Sequence, residues 1–286
     1  GYRTHFVYGG ESNFDEMKSF FAGNGIETIS DQPVLQKPGH AVGVWGIHDE
    51  DVFDEADALF RRQGGKPFFA VVLSTSNHTP FDYPGGRIEP NPAFPTASAE
   101  NAIKYTDHAL GQFFAKASTA DYFKNTIFLV VADHGTRVSG DQLIPLHKFE
   151  IPAMIYGPRE LVPHQEIQTL ASQVDLMPTV LALTGRPWRH PMMGRNLLDP
   201  AEQALGRPGR ALLQYETHFG YWKGDALVVL RPDLPPSQFI VEMTDRPGRD
   251  RFQLHPAPPE AALVEEALAH SLLPGHLYRD RIYRLP

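Results

Sequence analysis

Three short polar clusters hold the residues best suited to chemistry, and each directly follows an apolar run. In the first, Asp133 and His134 follow TIFLVVA, Thr126–Ala132. A carboxylate and an imidazole on adjacent residues leaving a strand can turn towards one cation. Asp offers a hard oxygen and neutral His a borderline nitrogen, a pair that suits Zn or Mn. Two ligands alone leave such a site incomplete, and Asp133 could equally cap a following turn. The second cluster is Ser74-Thr75-Ser76-Asn77-His78-Thr79-Pro80, behind FFAVVLS. There His78 could donate to a phosphate or protonate a leaving oxygen. The same residues also suit a plain turn, since Asn and Ser favour one and Pro80 fixes one. The third is Tyr8-Gly9-Gly10-Glu11-Ser12-Asn13, where glycines would let backbone N–H groups approach a ligand at a helix N-terminus. Glu11 opposes an anion there unless it binds a hydroxyl or a cation. Beside it, in Trp45-Gly46-Ile47-His48-Asp49, Trp45 could stack on a substrate and Asp49 accept from a hydroxyl. The alternative makes Trp45 core and Asp49 a helix cap. Arg137 could clamp an anion or be a solvated loop residue.

These clusters need elements to place them. Thr4–Tyr8 reads as a strand. Asn13 and Glu16 have capping-box spacing, with Phe14, Met17, Phe20 and Phe21 following at helical intervals until Gly23 and Gly25. A second helix fits Asp51–Arg62. Phe68–Ser74 and Thr126–Ala132 show no alternation, as expected of strands buried on both faces of a parallel sheet. Phe81–Thr96 reads as a Pro- and Gly-rich loop. Ala99–Ala117 reads as a helix with Ile103, Leu110, Phe113 and Phe114 on its apolar side. Ile151–Tyr156 suggests a strand and Ser172–Thr184 a helix stopped by Gly185. Beyond about Pro200, Ala211–Glu216, Ala226–Arg231 and Phe239–Met243 are short strands between turns, suggesting an antiparallel sheet. Pro259–Leu272 suits a late helix. The fold class expected is α/β: a mostly parallel sheet flanked by helices over 1–200, with a small antiparallel sheet and a late helix over 201–286.

Composition narrows the function classes. The 286 residues are 42% hydrophobic and 21% charged, ordinary globular usage that argues against global disorder. A net charge of −8 disfavours a nucleic-acid surface. With no Cys, disulfides, Cys-ligated zinc, Fe–S clusters and thiol catalysis are excluded. No apolar run approaches the ~20 residues a membrane span needs. There is no G-x-S-x-G elbow, P-loop or H-E-x-x-H. The chain begins with Gly and lacks the apolar stretch of a signal peptide, so a piece of a longer protein is expected.

Taken in order, GYRTHFVYGGESNFDEMKSFF, VGVWGIHDEDVF, PFFAVVLSTSNHTPF, NTIFLVVADHGTRV and ASQVDLMPTVLALTG resemble the lipoteichoic acid synthase-like branch of the sulfatase and alkaline phosphatase superfamily. SNHTPF and ADHGTR are the most specific of these. The resemblance implies the C-terminal portion of a membrane-anchored enzyme whose catalytic domain faces the periplasm or cell-envelope side. Such an enzyme moves a phosphoglycerol or related group from a phospholipid head group to an envelope glycan or lipid. It implies a divalent metal, Mn first with Zn or Mg also open, and a phosphorylated Thr intermediate. Asp133 and His134 match the metal ligands, and His78 matches the residue that contacts the phosphate and assists the leaving group. Glu11, Trp45 and Asp49 fall near positions lining the glycerol pocket, the looser match because Tyr8-Gly9-Gly10-Glu11 stands where many members have His-Gly-Asp. Arg137 would line the pocket mouth. The family's nucleophilic Thr and metal-binding Glu have no counterpart in these 286 residues. Two alternatives therefore stand beside the transferase: an inactive scaffold or binding domain, and a sulfatase or other phosphodiesterase of the same superfamily.

Overall fold

The third polar cluster leaves β1 (Arg3–Tyr8), and the elements after it fold back around that strand. In the computed structural model, which describes residues 1–135, 142–201 and 209–283, the chain divides into two units, Gly1–Thr126 and Ile127–Pro286. The first unit continues with α1 (Met17–Gly23), β2 (Thr28–Ser30), α2 (Gln32–Leu35) and a tight hairpin, β3 (Val42–Gly43) and β4 (Gly46–Ile47). Then come α3 (Asp49–Arg61), β5 (Phe68–Leu73) and α4 (Ala99–Ala117). The parallel sheet has the order β2-β1-β5, with Phe6 paired to Val71 and Tyr8 to Leu73. The continuous apolar run of β5 thus lies in a parallel sheet, as its lack of alternation predicts, but it is only partly buried and Phe69 is exposed.

Helix α3 begins with Asp49, Glu50 and Asp51, a favourable charge for an N-terminus. It buries Val52, Ala56 and Phe60 at four-residue spacing. Phe60 stacks on Phe68 of β5 at 4.8 Å and meets the Tyr122 ring edge-on at 5.6 Å. Ser98 caps α4 by accepting from Asn101 N at 3.3 Å. The buried stripe of α4 is Ala102, Tyr105, Ala109, Phe113 and Ala117, while Ile103, expected on the apolar side, is exposed. Small alanines let α4 close against α3, so the close-packed face is not the one with the largest aliphatics. The capping box expected at Asn13 and Glu16 is also absent. Asn13 makes no cap bond, and Asp15 and Glu16 take left-handed φ values of 48° and 56°. That kink separates a short 3-10 turn from α1, and Ser12 is instead tied to Asp31 Oδ2 through its hydroxyl at 2.6 Å.

In the second unit, β6 (Phe128–Val131) pairs antiparallel with β7 (Ala153–Tyr156) and is only partly buried, where its continuous apolar run suggests a doubly buried strand of a parallel sheet. A 3-10 turn at Gln173–Asp175 leads into α5 (Leu176–Leu183), which ends just before Gly185 at φ +69°. The antiparallel sheet has five strands, β8 (Arg210–Tyr215), β9 (His218–Lys223), β10 (Ala226–Arg231), β11 (Leu234–Met243) and β12 (Phe252–Ala257), each beside its sequence neighbour. One face buries Leu213, Leu227, Val229, Val241 and Phe252 around Ile144 and Leu146. On the other, α6 (Ala261–Arg279) packs Ala267 against Tyr221 and Val228. Tyr221 and Lys223 both bond Glu266, at 2.9 and 2.7 Å. Their bonds hold the Glu266 carboxyl below the usual carboxylate range, Lys223 being the larger cause. Among the described residues no helix is long and apolar enough to cross a membrane.

Candidate active site

In the first unit, the glycines after β1 make room for the chain itself. A side chain at Gly9 would collide with Ile47 O and with Val52, and one at Gly10 would sit 2.6 Å from the Tyr8 ring. Gly46, at φ +112°, has no room for a side chain against Gly9 O. Ile47 N donates to Gly9 O at 2.9 Å and Gln32 N to Gly10 O at 2.9 Å. Close backbone packing by itself requires these glycines. They seat the β3–β4 hairpin, which carries Trp45, directly behind β1. Glu11 stands exposed beside them.

The loop after β5 is braced from beneath by Asp49. That residue is fully buried, and its Oδ1 accepts from Thr75 N at 2.8 Å and Ser76 N at 3.1 Å. Its Oδ2 accepts from the Thr106 hydroxyl at 2.5 Å. The carboxylate is thus committed to protein donors. Thr75 Oγ1 donates to Ile47 O at 2.8 Å, tying the loop to the hairpin. His48 is buried beside it, with Nδ1 3.4 Å from Ser76 Oγ. Burial lowers its pKa, an effect opposed in part by the Asp82 carboxylate.

His78 sits half-buried at the end of this loop. Its Nδ1 lies 3.0 Å from Thr79 O. A carbonyl only accepts, so Nδ1 carries the hydrogen and the lone pair of the neutral ring is on Nε2. Trp45 Nε1 donates to the same carbonyl at 2.7 Å. The Trp45 and His78 rings lie 3.8 Å apart, tilted by 46°, and Phe14 meets Trp45 edge-on at 5.4 Å.

In the second unit, Asp133 and His134 follow β6, with side chains 73% and 61% exposed and so open to a ligand. His134 N donates to Asp133 Oδ1 at 2.8 Å, and His134 Nδ1 lies 2.8 Å from Gly135 O. By the same reasoning Nε2 keeps its lone pair, and it lies 3.6 Å from Asp133 Oδ2. Two such donors can share one divalent cation at bond lengths of ~2.0–2.2 Å. The oxygen and nitrogen pair therefore fits two positions of a Mn, Zn or Mg shell. Among the described residues no three His, Asp or Glu side chains gather as a cation site. Gln173 Nε2 donates to Ala132 O at 2.9 Å and Asp133 O at 2.8 Å, fixing the backbone where the pair emerges.

The structure thus brings together Trp45 with His78, Asp49 with the loop that carries His78, and Asp133 with His134. Arg137 lies outside the described residues. Thr106 and Gln173 escape sequence reasoning because each acts through a bond to a distant carboxylate or backbone, and the bond from Trp45 to the Thr79 carbonyl, thirty-four residues apart, is likewise marked by no local spacing.

Residues 1–186 match the Sulfatase family, and the chain belongs to it. Its fold is that of the alkaline phosphatase superfamily. Phosphoglycerol transferase I of Xanthomonas campestris pv. campestris is 26% identical over 251 residues, covering 81% of this chain and 35% of that protein. Lipoteichoic acid synthase 1 of Bacillus subtilis is 23% identical over 207 residues, covering 65% of this chain and 31% of its own. The chain thus spans about a third of the length of these curated relatives. Among solved structures, an alkaline phosphatase superfamily protein from Vibrio parahaemolyticus has a TM-score of 0.88 and 39% identity, over all of this chain and 67% of that one. The lipoteichoic acid synthase LtaP of Listeria monocytogenes has a TM-score of 0.73 at 18% identity, over all of this chain and 71% of its own, a likeness of fold.

Proposed function

We propose that this chain is the C-terminal part of a metal-dependent phosphoglycerol transferase that works on the extracytoplasmic side of a membrane. The donor is a phospholipid head group and the acceptor an envelope glycan or lipid. Residues 1–200 supply the catalytic portion and 201–286 a separate small layer. The observation that carries the reading is the Asp133–His134 pair, whose free Nε2 and Oδ2 suit a cation, in a chain whose family and relatives include phosphoglycerol transferases. Asp133 and His134 hold the divalent ion, most simply Mn. When bound, such an ion neutralises phosphoryl charge and lowers the pKa of an attacking hydroxyl.

The remaining roles fall to this chain's own groups. The nucleophile is a Thr that is not among these 286 residues. Its hydroxyl gives up its proton to solvent, and its oxygen forms the new P–O bond while the bond to the lipid alcohol breaks. His78, protonated at Nε2, gives that proton to the departing oxygen, and its Nδ1–H stays on Thr79 O throughout. An acceptor hydroxyl then attacks the phosphorus, passing its proton to Nε2 of His78 as the P–O bond to the Thr breaks. Glu11, exposed beyond β1, accepts from the glycerol hydroxyls. Asp49 supports the loop from beneath.

The test uses the full-length protein with phosphatidylglycerol as donor and Mn2+ in excess. Asp133→Asn is expected to lower turnover by more than about 100-fold, beyond the usual cost of losing an outer-shell partner. Normal turnover by this variant refutes the reading. A second reading is favoured by the absence of a third cation ligand among the described residues. It holds that these 286 residues alone keep the scaffold without turning over. Phosphodiester cleavage by the isolated chain, at any Mn2+ concentration, refutes that one.

A further inference from the structure

We infer that Trp45 is a positioning residue for His78, and that its indole, with the Thr79 carbonyl, sets which imidazole nitrogen faces the substrate. The inference rests on the role proposed for His78 and assigns a new one to its neighbour. The sequence suggests that Trp45 stacks on a substrate. In the structure a ring already lies against it, the imidazole of His78 at 3.8 Å. The polar edge of the indole is spent as well, since Nε1 donates to Thr79 O at 2.7 Å.

That carbonyl is the centre of the device. An sp2 oxygen has two lone pairs, and here it receives two donors, Trp45 Nε1 and His78 Nδ1. The indole bond holds the carbonyl in place. The carbonyl then makes Nδ1–H the favoured tautomer, which leaves Nε2 as the atom that gives or takes a proton. The tilted indole limits rotation of the ring about its own bonds. Trp45 is itself fixed: Phe14 meets it edge-on at 5.4 Å, and its hairpin is seated on Gly9 and Gly10 by the Ile47 N bond to Gly9 O. An indole meant for a ligand needs neither a shared acceptor nor an imidazole against it. One that orients the imidazole needs both.

The first measurement is the tautomer of His78 in the 286-residue chain, from long-range 1H–15N correlations of uniformly labelled protein at a pH where the ring is neutral. A pyrrole-like Nδ1 and a pyridine-like Nε2 are expected in the wild type. A mixture of the two tautomers is expected in Trp45→Ala, with part of the shift already present in Trp45→Phe, which keeps an aromatic face and loses the donor. The opposite tautomer in the wild type overturns the inference, and so does an unchanged tautomer in both variants. Should Trp45→Ala not fold, Trp45→Phe decides alone by the same criterion.

The second measurement is steady-state kinetics of the full-length enzyme with phosphatidylglycerol. Trp45→Phe is expected to lower kcat about 10-fold, a fraction of what a general acid is worth, with KM within about 2-fold of wild type. A raised KM at unchanged kcat instead identifies a substrate platform and overturns the inference. Failure of the underlying reading looks different: His78→Gln would then keep full turnover, whatever the tautomer of His78 in the wild type.

Discussion

The loops after β5 and β6 each carry an imidazole behind a short apolar strand, yet they are held by different means. The loop after β5 is fastened from below. Asp49 is buried under Thr75 and Ser76, Thr75 bonds the hairpin, and Trp45 leans on His78. Among the described residues at the start of the loop after β6, Gln173 holds the backbone and both side chains stand largely in solvent. A proton-transfer group must present one nitrogen in one direction, and that calls for a rigid surround. A pair of cation ligands gains part of its order from the ion, since binding and ordering are coupled. The contrast therefore matches the two chemistries proposed.

The largest test of this contrast is a pair of carboxylate deletions. Asp49→Ala leaves two backbone N–H groups and the Thr106 hydroxyl without their acceptor in a buried place. The expected cost is about 3 kcal/mol or more, because each unsatisfied buried donor costs about 1–3 kcal/mol. Asp133→Ala, at a side chain 73% exposed, is expected to change stability by less than about 0.5 kcal/mol. Urea denaturation of the two variants measures both. Comparable losses would abolish the distinction between a braced and an unbraced loop.

Next in size is the brace of the second loop. Gln173→Ala removes both bonds to the strand end, and the Asp133 backbone is then freer to turn. Stability is expected to change little, while the affinity of the chain for Mn2+, followed by electron paramagnetic resonance, falls about 10-fold, as for loss of an outer-shell partner. An unchanged affinity would mean that Gln173 only trims the loop.

How far the sequence discloses this arrangement depends on how local each feature is. The extent of the helix over Ala99–Ala117 and of the strand from Phe68 can be read directly from the local apolar pattern, though not which face of the helix is buried. Asp133 and His134 stand at a strand end as their spacing suggests. Strands β9 and β12 are missed for a physical reason. Gly220 inside β9 reads as a breaker, yet a side chain there would collide with Ile144. Pro256 argues against a strand, yet β12 is an edge strand where a missing N–H is tolerated. The kink at Asp15 and Glu16 replaces a capping box that fits by spacing, because Ser12 is held by Asp31, nineteen residues away. The role of Asp49 is hidden in the same way: its partners Thr75, Ser76 and Thr106 are distant in sequence.

The smallest expected effect concerns pH and only the first loop. His48 is buried, so desolvation holds its pKa below the ordinary value, against the opposing pull of the Asp82 carboxylate. The carboxylates of Asp49, Asp51 and Glu50 also favour the charged ring, each less than Asp82, while the Ser76 hydroxyl lies at 3.4 Å and the Tyr105 ring meets it edge-on at 6.3 Å; desolvation outweighs these carboxylates together. Between the unfolded-state pKa of about 6.5 and the lower folded value, the unfolded chain binds more protons. Stability in the first unit should therefore fall as pH drops below about 6.5, with the full contribution of neutral His48 present above it. Amide exchange at Ser76, which tracks local opening, should quicken over that window beyond the ordinary chemical dependence. His48→Gln should remove the excess, leaving exchange at Ala132, before the second loop, unaltered. If His48→Gln leaves the pH profile at Ser76 unchanged, the buried imidazole is not what makes the braced loop sensitive to acid.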